Sequence, residues 1–168
     1  MYSIEECSIE ECLQILNKMK MMCNEDDDIE VFDKALYKVR MEGDMSAIEK
    51  LYTALDDETE GPSSAMMDIL ESIIDISERC NQLEEGIYIF LSNGYKIIKN
   101  ATDWFEMFNR LLLYTRRLHE YYIFAIKRLD KKNLEILLDT LDDIEKKNNV
   151  DYLKESIDLI REKIKSIE

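Results

Sequence analysis

Apolar residues recur along this chain at the three- and four-residue intervals of a helix, and no segment alternates apolar and polar residues between hairpin turns as strands do. The helical spacing is clear in residues 29–39 and again in residues 48–55. A stripe of the same kind near the C-terminus comprises Leu153, Ile157, Ile160, Ile164 and Ile167. This periodicity predicts an all-α fold.

Polar and glycine-containing breaks separate the helical segments. Because the connections are short, consecutive helices are expected to lie antiparallel to each other. We therefore predict a single domain over residues 1–168, made of about eight antiparallel helices stacked as helical hairpins, HEAT/armadillo-like in architecture. The breaks lie at Asn24–Asp28, Gly43–Asp44, Gly61–Pro62, Cys80–Asn81, Asn93–Gly94, Asp130–Asn133 and Asn148–Asn149.

Two segments, Met66–Ile76 and Trp104–Tyr114, carry apolar residues around most of the helix circumference. A helix that is apolar nearly all round is buried among others, so these two are predicted to lie centrally. Two helix starts also carry capping residues. Ser46 with Glu49 three residues later is expected to form a capping box, and Asp151 is expected to cap the last helix.

Charge changes the picture, because it is strongly acidic and unevenly distributed. The chain has 37 Asp and Glu against 22 Lys and Arg, a formal net charge of −15. Residues 1–95 hold 23 acids and 7 bases, whereas residues 96–168 hold 14 acids and 15 bases. Nucleic acid and anionic membranes need a basic surface, so both are excluded as partners. A charged partner is expected to be basic.

Two acidic clusters lie at breaks between helices. One runs from Glu25 to Asp28 with Glu30, and the other from Asp56 to Glu58 with Glu60. In a stack of hairpins the loops before the second helix and after the third share one end, so the clusters are expected to form a single acidic rim. The alternative for each cluster is simple solvation and helix capping.

The residues that catalysis requires are scarce. His119 is the only histidine, and beside Glu120 and an aromatic run it is interpreted as a packed or surface residue. The chain contains no GxSxG, GxxxxGKS/T or GxGxxG motif, and hence neither a nucleophile elbow nor a phosphate-binding loop. Acid pairs at helical spacing lack the ExxH motif of helical di-metal sites. We predict that the protein is not an enzyme.

The N-terminus and the cysteines favour a cytoplasmic protein. Met1–Glu6 lacks the basic and apolar regions of a signal peptide, and the longest apolar run, Ile87–Leu91, is far too short to span a bilayer. No CxxC pair is present, so no metal and no cofactor is predicted. Cytosolic thiols stay reduced and behave as small apolar groups. The four cysteines are Cys7, Cys12, Cys23 and Cys80.

Three short motifs follow each other along the middle of the chain: an acidic turn at Asp56–Thr59, a helix at Met67–Asp75, and Ala101–Trp104 opening a buried helix. With this order of features, the chain from Phe32 to Glu145 resembles the immunity protein 30 family of bacterial toxin–immunity systems. Three positions or segments depart from the family pattern. Ser72 replaces a histidine, Asp75 replaces a glutamate, and the stretch Arg110–Leu113 keeps its motif only in part.

The resemblance implies a cytosolic antidote that binds a cognate toxin domain and blocks it by occlusion, without chemistry. Many toxins of such systems are nucleases or other basic domains, which an acidic surface would both steer and cover. Tyrosine is enriched at protein interfaces, and Tyr37, Tyr88 and Tyr95 have polar neighbours that favour exposure. We therefore expect the toxin to bind at Glu25, Asp26, Asp27, Asp28, Glu30, Asp56, Asp57, Glu58 and Tyr37.

Two alternatives of other classes stay open at this stage. One is a helical-repeat adaptor or scaffold that binds a basic partner or peptide without catalysis; its gene need not lie beside a toxin gene. The other is a small helical enzyme or metal–carboxylate protein, which metal analysis of the purified protein would reveal. The oligomeric state and the toxin's activity do not follow from the residues.

Overall fold

The computed structural model describes residues 4–148 and 150–166, and within these ranges every regular element is helical. The all-α prediction is therefore confirmed. The chain forms two compact units, unit 1 (Met1–Gly86) and unit 2 (Ile87–Glu168). The single domain and the hairpin-repeat architecture stay predictions.

Unit 1 is built around the buried helix α4. Helix α2 packs against both α1 and α4, and the short helix α3 contacts the same two neighbours. Isoleucine, leucine and methionine of α4 are buried on most of its circumference, as the sequence predicts. Single 3-10 turns precede α1 and α3 at Ile4–Glu6 and Met45–Ala47. The helices are α1 (Ile9–Met19), α2 (Ile29–Glu42), α3 (Ile48–Tyr52), α4 (Ser63–Arg79) and the first turn of α5 (Leu83–Ser92).

Unit 2 is organised around α7, which contacts the four other helices that follow α5. Its phenylalanines pack against Phe90 of α5, with ring centroids 4.0 Å apart for Phe108 and 5.8 Å apart for Phe105. Tyr114 at the end of α7 is exposed, so the predicted burial holds for most of this helix but not for its last residue. The helices are α6 (Gly94–Ile97), α7 (Thr102–Tyr114), α8 (His119–Ile126), α9 (Lys131–Lys147) and α10 (Asp151–Lys165).

Helix starts show where local patterns mislead. The capping box predicted at Ser46 is wrong, because Asp44 caps the 3-10 turn instead: its Oδ1 accepts from the Ser46 backbone amide at 2.9 Å and from the Ser46 hydroxyl at 2.6 Å. Asp151 is the first residue of α10 rather than its cap, and Val150 at the cap position supplies no side-chain bond. A capping box does form at Ser8 and Glu11, at the start of α1.

Ten α-helices occur in the described residues, where the sequence predicted about eight. The difference lies between the predicted breaks at Asn93–Gly94 and Asp130–Asn133, where the chain forms three helices, α6, α7 and α8. Helix α6 is only four residues long and therefore too short to show a helical period. Of the C-terminal stripe, Leu153, Ile157, Ile160 and Ile164 are buried on α10. Ile167 and the break residue Asn149 lie outside the described residues.

Candidate functional site

The division of charge coincides with the division into units. Residues 87–95 contain no Asp, Glu, Lys or Arg, so unit 1 holds the same 23 acids and 7 bases that the sequence assigns to residues 1–95. Unit 1 therefore has a net charge of −16, and unit 2 a net charge of +1. The excess negative charge of the chain therefore lies in unit 1.

The two acidic loops of unit 1 meet at one end of their helices. The Glu60 backbone amide donates to the Met21 carbonyl at 2.9 Å, which links the loop after α3 to the loop after α1. The Lys20 ammonium lies 3.1 Å from the Asp56 carboxylate. Gly61 approaches Met22 so closely that a Cβ at this position would clash with the methionine sulfur. The acidic side chains of residues 25–30 and 56–60, called the acidic rim below, therefore lie on two loops that contact each other.

The carboxylates of the acidic rim differ in their roles. Asp28 caps α2 by accepting from the Glu30 amide at 2.8 Å, and Asp27 accepts from the Asn24 amide at 3.0 Å. Asp56 is only 8% exposed, so this residue ties the two loops together rather than facing a partner. The exposed carboxylates of the rim are those of Glu25, Asp26, Asp28, Glu30, Asp57, Glu58 and Glu60.

A groove of about 990 Å³ runs beside α2 in the same unit, and sequence patterns did not reveal it. Its walls are the 3-10 turn at Ile4–Glu6, α2 and α4. Tyr37 and Met41 of α2 line it one helical turn apart, and their side chains are 65% and 51% exposed. This α2 groove has α2 as one of its walls, and the N-terminus of the same helix carries part of the acidic rim. Tyr37, the predicted site residue that lies outside the rim, therefore lines a concave surface.

Acids slightly outnumber bases among the residues that line the α2 groove: Glu5, Asp33, Glu42 and Asp68 against Lys34, Lys38 and Arg40. Each of the three bases contacts a carboxylate other than Asp33 and Asp68: Lys34 pairs with Glu30, Lys38 with Glu42 and Arg40 with Asp75. Desolvation raises the pKa of Asp33 above its ordinary value, and the neighbouring carboxylates of Asp68 and Glu30 raise it further.

Other residues singled out in the sequence have structural partners. The ring nitrogen Nε2 of His119 lies 2.8 Å from the Leu113 carbonyl oxygen, at the start of α8. Tyr88 and Tyr95 are half-buried rather than freely exposed, since the Arg128 guanidinium lies 3.8 Å from the Tyr88 ring centroid and Lys132 lies over the Tyr95 ring. Neither tyrosine resembles Tyr37 in accessibility.

Within residues 4–148 and 150–166, no group of three or more His, Cys, Asp or Glu side chains is arranged to hold a metal ion. In the same part of the chain, no helix has the length and apolarity needed to cross a membrane.

The family model described as Immunity protein 30 matches residues 9–122 of the chain. The match begins and ends earlier than the predicted resemblance from Phe32 to Glu145. It includes the whole acidic rim and the part of the α2 groove that α2 and α4 contribute. No curated protein and no solved structure matches the chain.

Proposed function

The chain belongs to the immunity protein 30 family, and on that premise we propose that it binds a cognate toxin domain and blocks it by covering its active surface, with no reaction of its own. The observation that carries this proposal is the acidic rim, in which two loops far apart in sequence bring seven exposed carboxylates to one end of unit 1. We place the encounter in the cytoplasm, where a toxin that attacks nucleic acid would act.

The excess of negative charge is not neutralised within unit 1. With 23 acids against 7 bases, at least 16 carboxylates have no base of the unit to pair with. Among the described residues, five of those seven bases already contact a carboxylate of the same unit: Lys20, Lys34, Lys38, Arg40 and Lys50. A surface with such an excess attracts a basic partner over distances of about 8 Å at physiological salt.

A basic nuclease is the toxin that fits this surface best. Its substrate cleft would bind phosphates through Lys and Arg side chains, and the carboxylates of the acidic rim would occupy the positions of those phosphates. Occlusion of this kind needs no catalytic group in the inhibitor. Opposite charges on the two proteins would also speed association, since electrostatic complementarity raises the rate of encounter.

Co-expression with the toxin domain encoded by the adjacent gene tests the proposal. The protein is expected to restore growth and to co-purify with the toxin domain. A rim variant carrying Asp26→Lys, Asp57→Lys and Glu58→Lys should lose both effects. The matched control variant carries Asp139→Lys, Glu155→Lys and Glu162→Lys on exposed positions of unit 2, so that both variants have the same net charge.

The control variant should rescue growth as the wild type does. Absence of rescue and of co-purification with the wild-type protein would contradict the proposal. In that case an adaptor that binds another basic partner would become the better account.

A further inference from the structure

The α2 groove has the features of a protein-binding surface. Tyr37 and Met41 are spaced four residues apart on α2, so they lie on the same face of the helix. Both are more than half exposed on a concave surface. Tyrosine and methionine are enriched in protein interfaces, and tyrosine in the few residues that dominate binding energy. Two such side chains beside a cavity of about 990 Å³ therefore favour a segment of another protein as the occupant.

Two carboxylates in the same groove specify the charge of that occupant. Asp33 comes from α2 and Asp68 from α4, and they are close enough for the charge of one to affect ionisation of the other. Within residues 4–148 and 150–166, no Lys or Arg side chain lies within ion-pair distance of either carboxylate. A cation supplied from outside would relieve their mutual repulsion.

We infer that the α2 groove receives a cationic, amphipathic segment of the toxin, which places a Lys or Arg side chain between Asp33 and Asp68 and an apolar side chain against Tyr37 and Met41. This inference rests on the proposed function and names the part of the toxin that is held. An arginine suits the position well, because its planar guanidinium can bridge two carboxylates.

Charge argues against the other occupants. A second copy of the chain that bound here through its own unit 1 would bring together two units that each have a net charge of −16, and like charges across an interface cost binding energy. Nucleic acid is repelled for the same reason. A small cation would satisfy Asp33 and Asp68 but would leave Tyr37 and Met41 exposed to water.

The acidic rim and the α2 groove should affect different steps of toxin binding. Exposed charges such as those of the acidic rim act mainly on the association rate, whereas contacts in a desolvated groove act mainly on the dissociation rate. Changes in the α2 groove should therefore shorten the lifetime of the complex with little effect on its rate of formation. Reversal of rim charges should instead slow the formation of the complex, with little effect on its lifetime.

Dissociation kinetics of the full-length protein and the purified toxin domain test the inference. Tyr37→Ala should raise the dissociation rate constant by about 10- to 100-fold, the range of interface hot spots. The double variant Asp33→Asn/Asp68→Asn should raise it by about tenfold, as expected for loss of a groove ion pair. Association rates should change by less than about threefold. Tyr121→Ala, an exposed tyrosine of unit 2, is the matched control and should have no effect.

A photo-crosslinking amino acid in place of Tyr37 identifies the occupant directly. The crosslinked toxin peptide is expected to contain Lys or Arg beside apolar residues. A crosslink to an acidic segment or to a second copy of the chain would overturn the inference. So would unchanged dissociation of the groove variants from a toxin that the wild type binds, whereas failure of the wild type to bind any toxin would count against the proposed function itself.

Discussion

The two units are both helical and nearly equal in length, yet they use charged side chains in different ways. In unit 2 they hold the fold together: Glu106 is only 8% exposed and accepts from the Lys147 ammonium at 2.5 Å, and Arg161 of α10 reaches Glu145 of α9 at 2.7 Å. In unit 1 ion pairs also form, as between Lys20 and Asp56, but 23 acids face only 7 bases, whereas unit 2 has 14 acids and 15 bases. This difference in charge balance supports the proposal that unit 2 serves as a framework and that unit 1 carries the recognition surface.

Tyr37 of unit 1 is 65% exposed, more than the exposed aromatic residues of unit 2, which are Tyr114 at 44%, Phe124 at 41% and Tyr121 at 38%. In unit 2, Tyr88, Tyr95 and Tyr152 each lie beneath a Lys or Arg side chain. In unit 1, Tyr37 stands largely in solvent beside a cavity. An aromatic side chain left exposed on an acidic surface fits a binding role better than a packing role.

The largest expected effect is loss of stability in the framework without loss of recognition. Phe90 is fully buried against Phe105 and Phe108, so Phe90→Ala should lower the free energy of unfolding by about 3–5 kcal/mol in urea titrations. Phe124→Ala, at an exposed position, is the control and should cost less than about 1 kcal/mol. Toxin affinity, measured where Phe90→Ala is still folded, should match the wild type. A large loss of affinity there would assign recognition to unit 2.

A smaller effect is expected at a buried hydrogen bond of unit 2. The Tyr122 hydroxyl donates to Asn109 Oδ1 at 2.7 Å. Because Tyr122→Phe leaves that oxygen without this donor, it should lower the free energy of unfolding in urea titrations by about 1–3 kcal/mol. Tyr37→Phe removes no buried bond and serves as the control.

The same tyrosine predicts a pH dependence. Burial raises the pKa of Tyr122 above its ordinary value of 10.0, so above pH 10 the unfolded chain loses this proton while the folded chain keeps it. The unfolded state then binds fewer protons, and stability falls as the pH rises. Tyr122→Phe should flatten the fall above pH 10 in urea titrations. An equally steep fall in the variant would contradict this origin.

The smallest expected effect is a gain of stability in unit 1. The pKa of Asp33 is raised in the folded state, so the folded protein takes up the proton first and stability rises as the pH falls through that pKa. The ionised carboxylate therefore costs stability at pH 7, and Asp33→Asn should add less than about 0.5 kcal/mol at this exposed site. The gain should vanish below the ordinary aspartate pKa of 3.8. The control Asp139→Asn should leave the free energy of unfolding unchanged. Destabilisation by Asp33→Asn at pH 7 would contradict the account of the groove.

Long, strongly periodic segments made the fold predictable, and short ones did not. The helices α2, α4 and α10 follow from apolar stripes that run for three turns or more. The short helix α6 leaves no period in the sequence. The capping error at Ser46 arose because Asp44, two residues earlier, accepts hydrogen bonds from the Ser46 amide and hydroxyl, so that Ser46 lies inside the turn rather than at its cap position.

The site was predictable where it depends on charge and chain order. The two acidic clusters were expected to share one end, and the contacts of Glu60 with Met21 and of Lys20 with Asp56 bring their loops together. The burial of Asp56 was not predictable, since Lys20 lies far away in sequence. The α2 groove was not predictable for the same reason, because its walls come from segments that only the tertiary fold brings together.

The central claim is that a located acidic rim, not the net charge, attracts the toxin. Its most direct test is the association rate constant of the rim variant and of the control variant, measured by stopped flow from low to high salt. We predict that the control variant follows the wild type, with a rate that falls steeply as salt increases, while the rim variant associates at least about tenfold more slowly at low salt and responds little to salt. Equal rates and equal salt dependence for the two variants would contradict the claim.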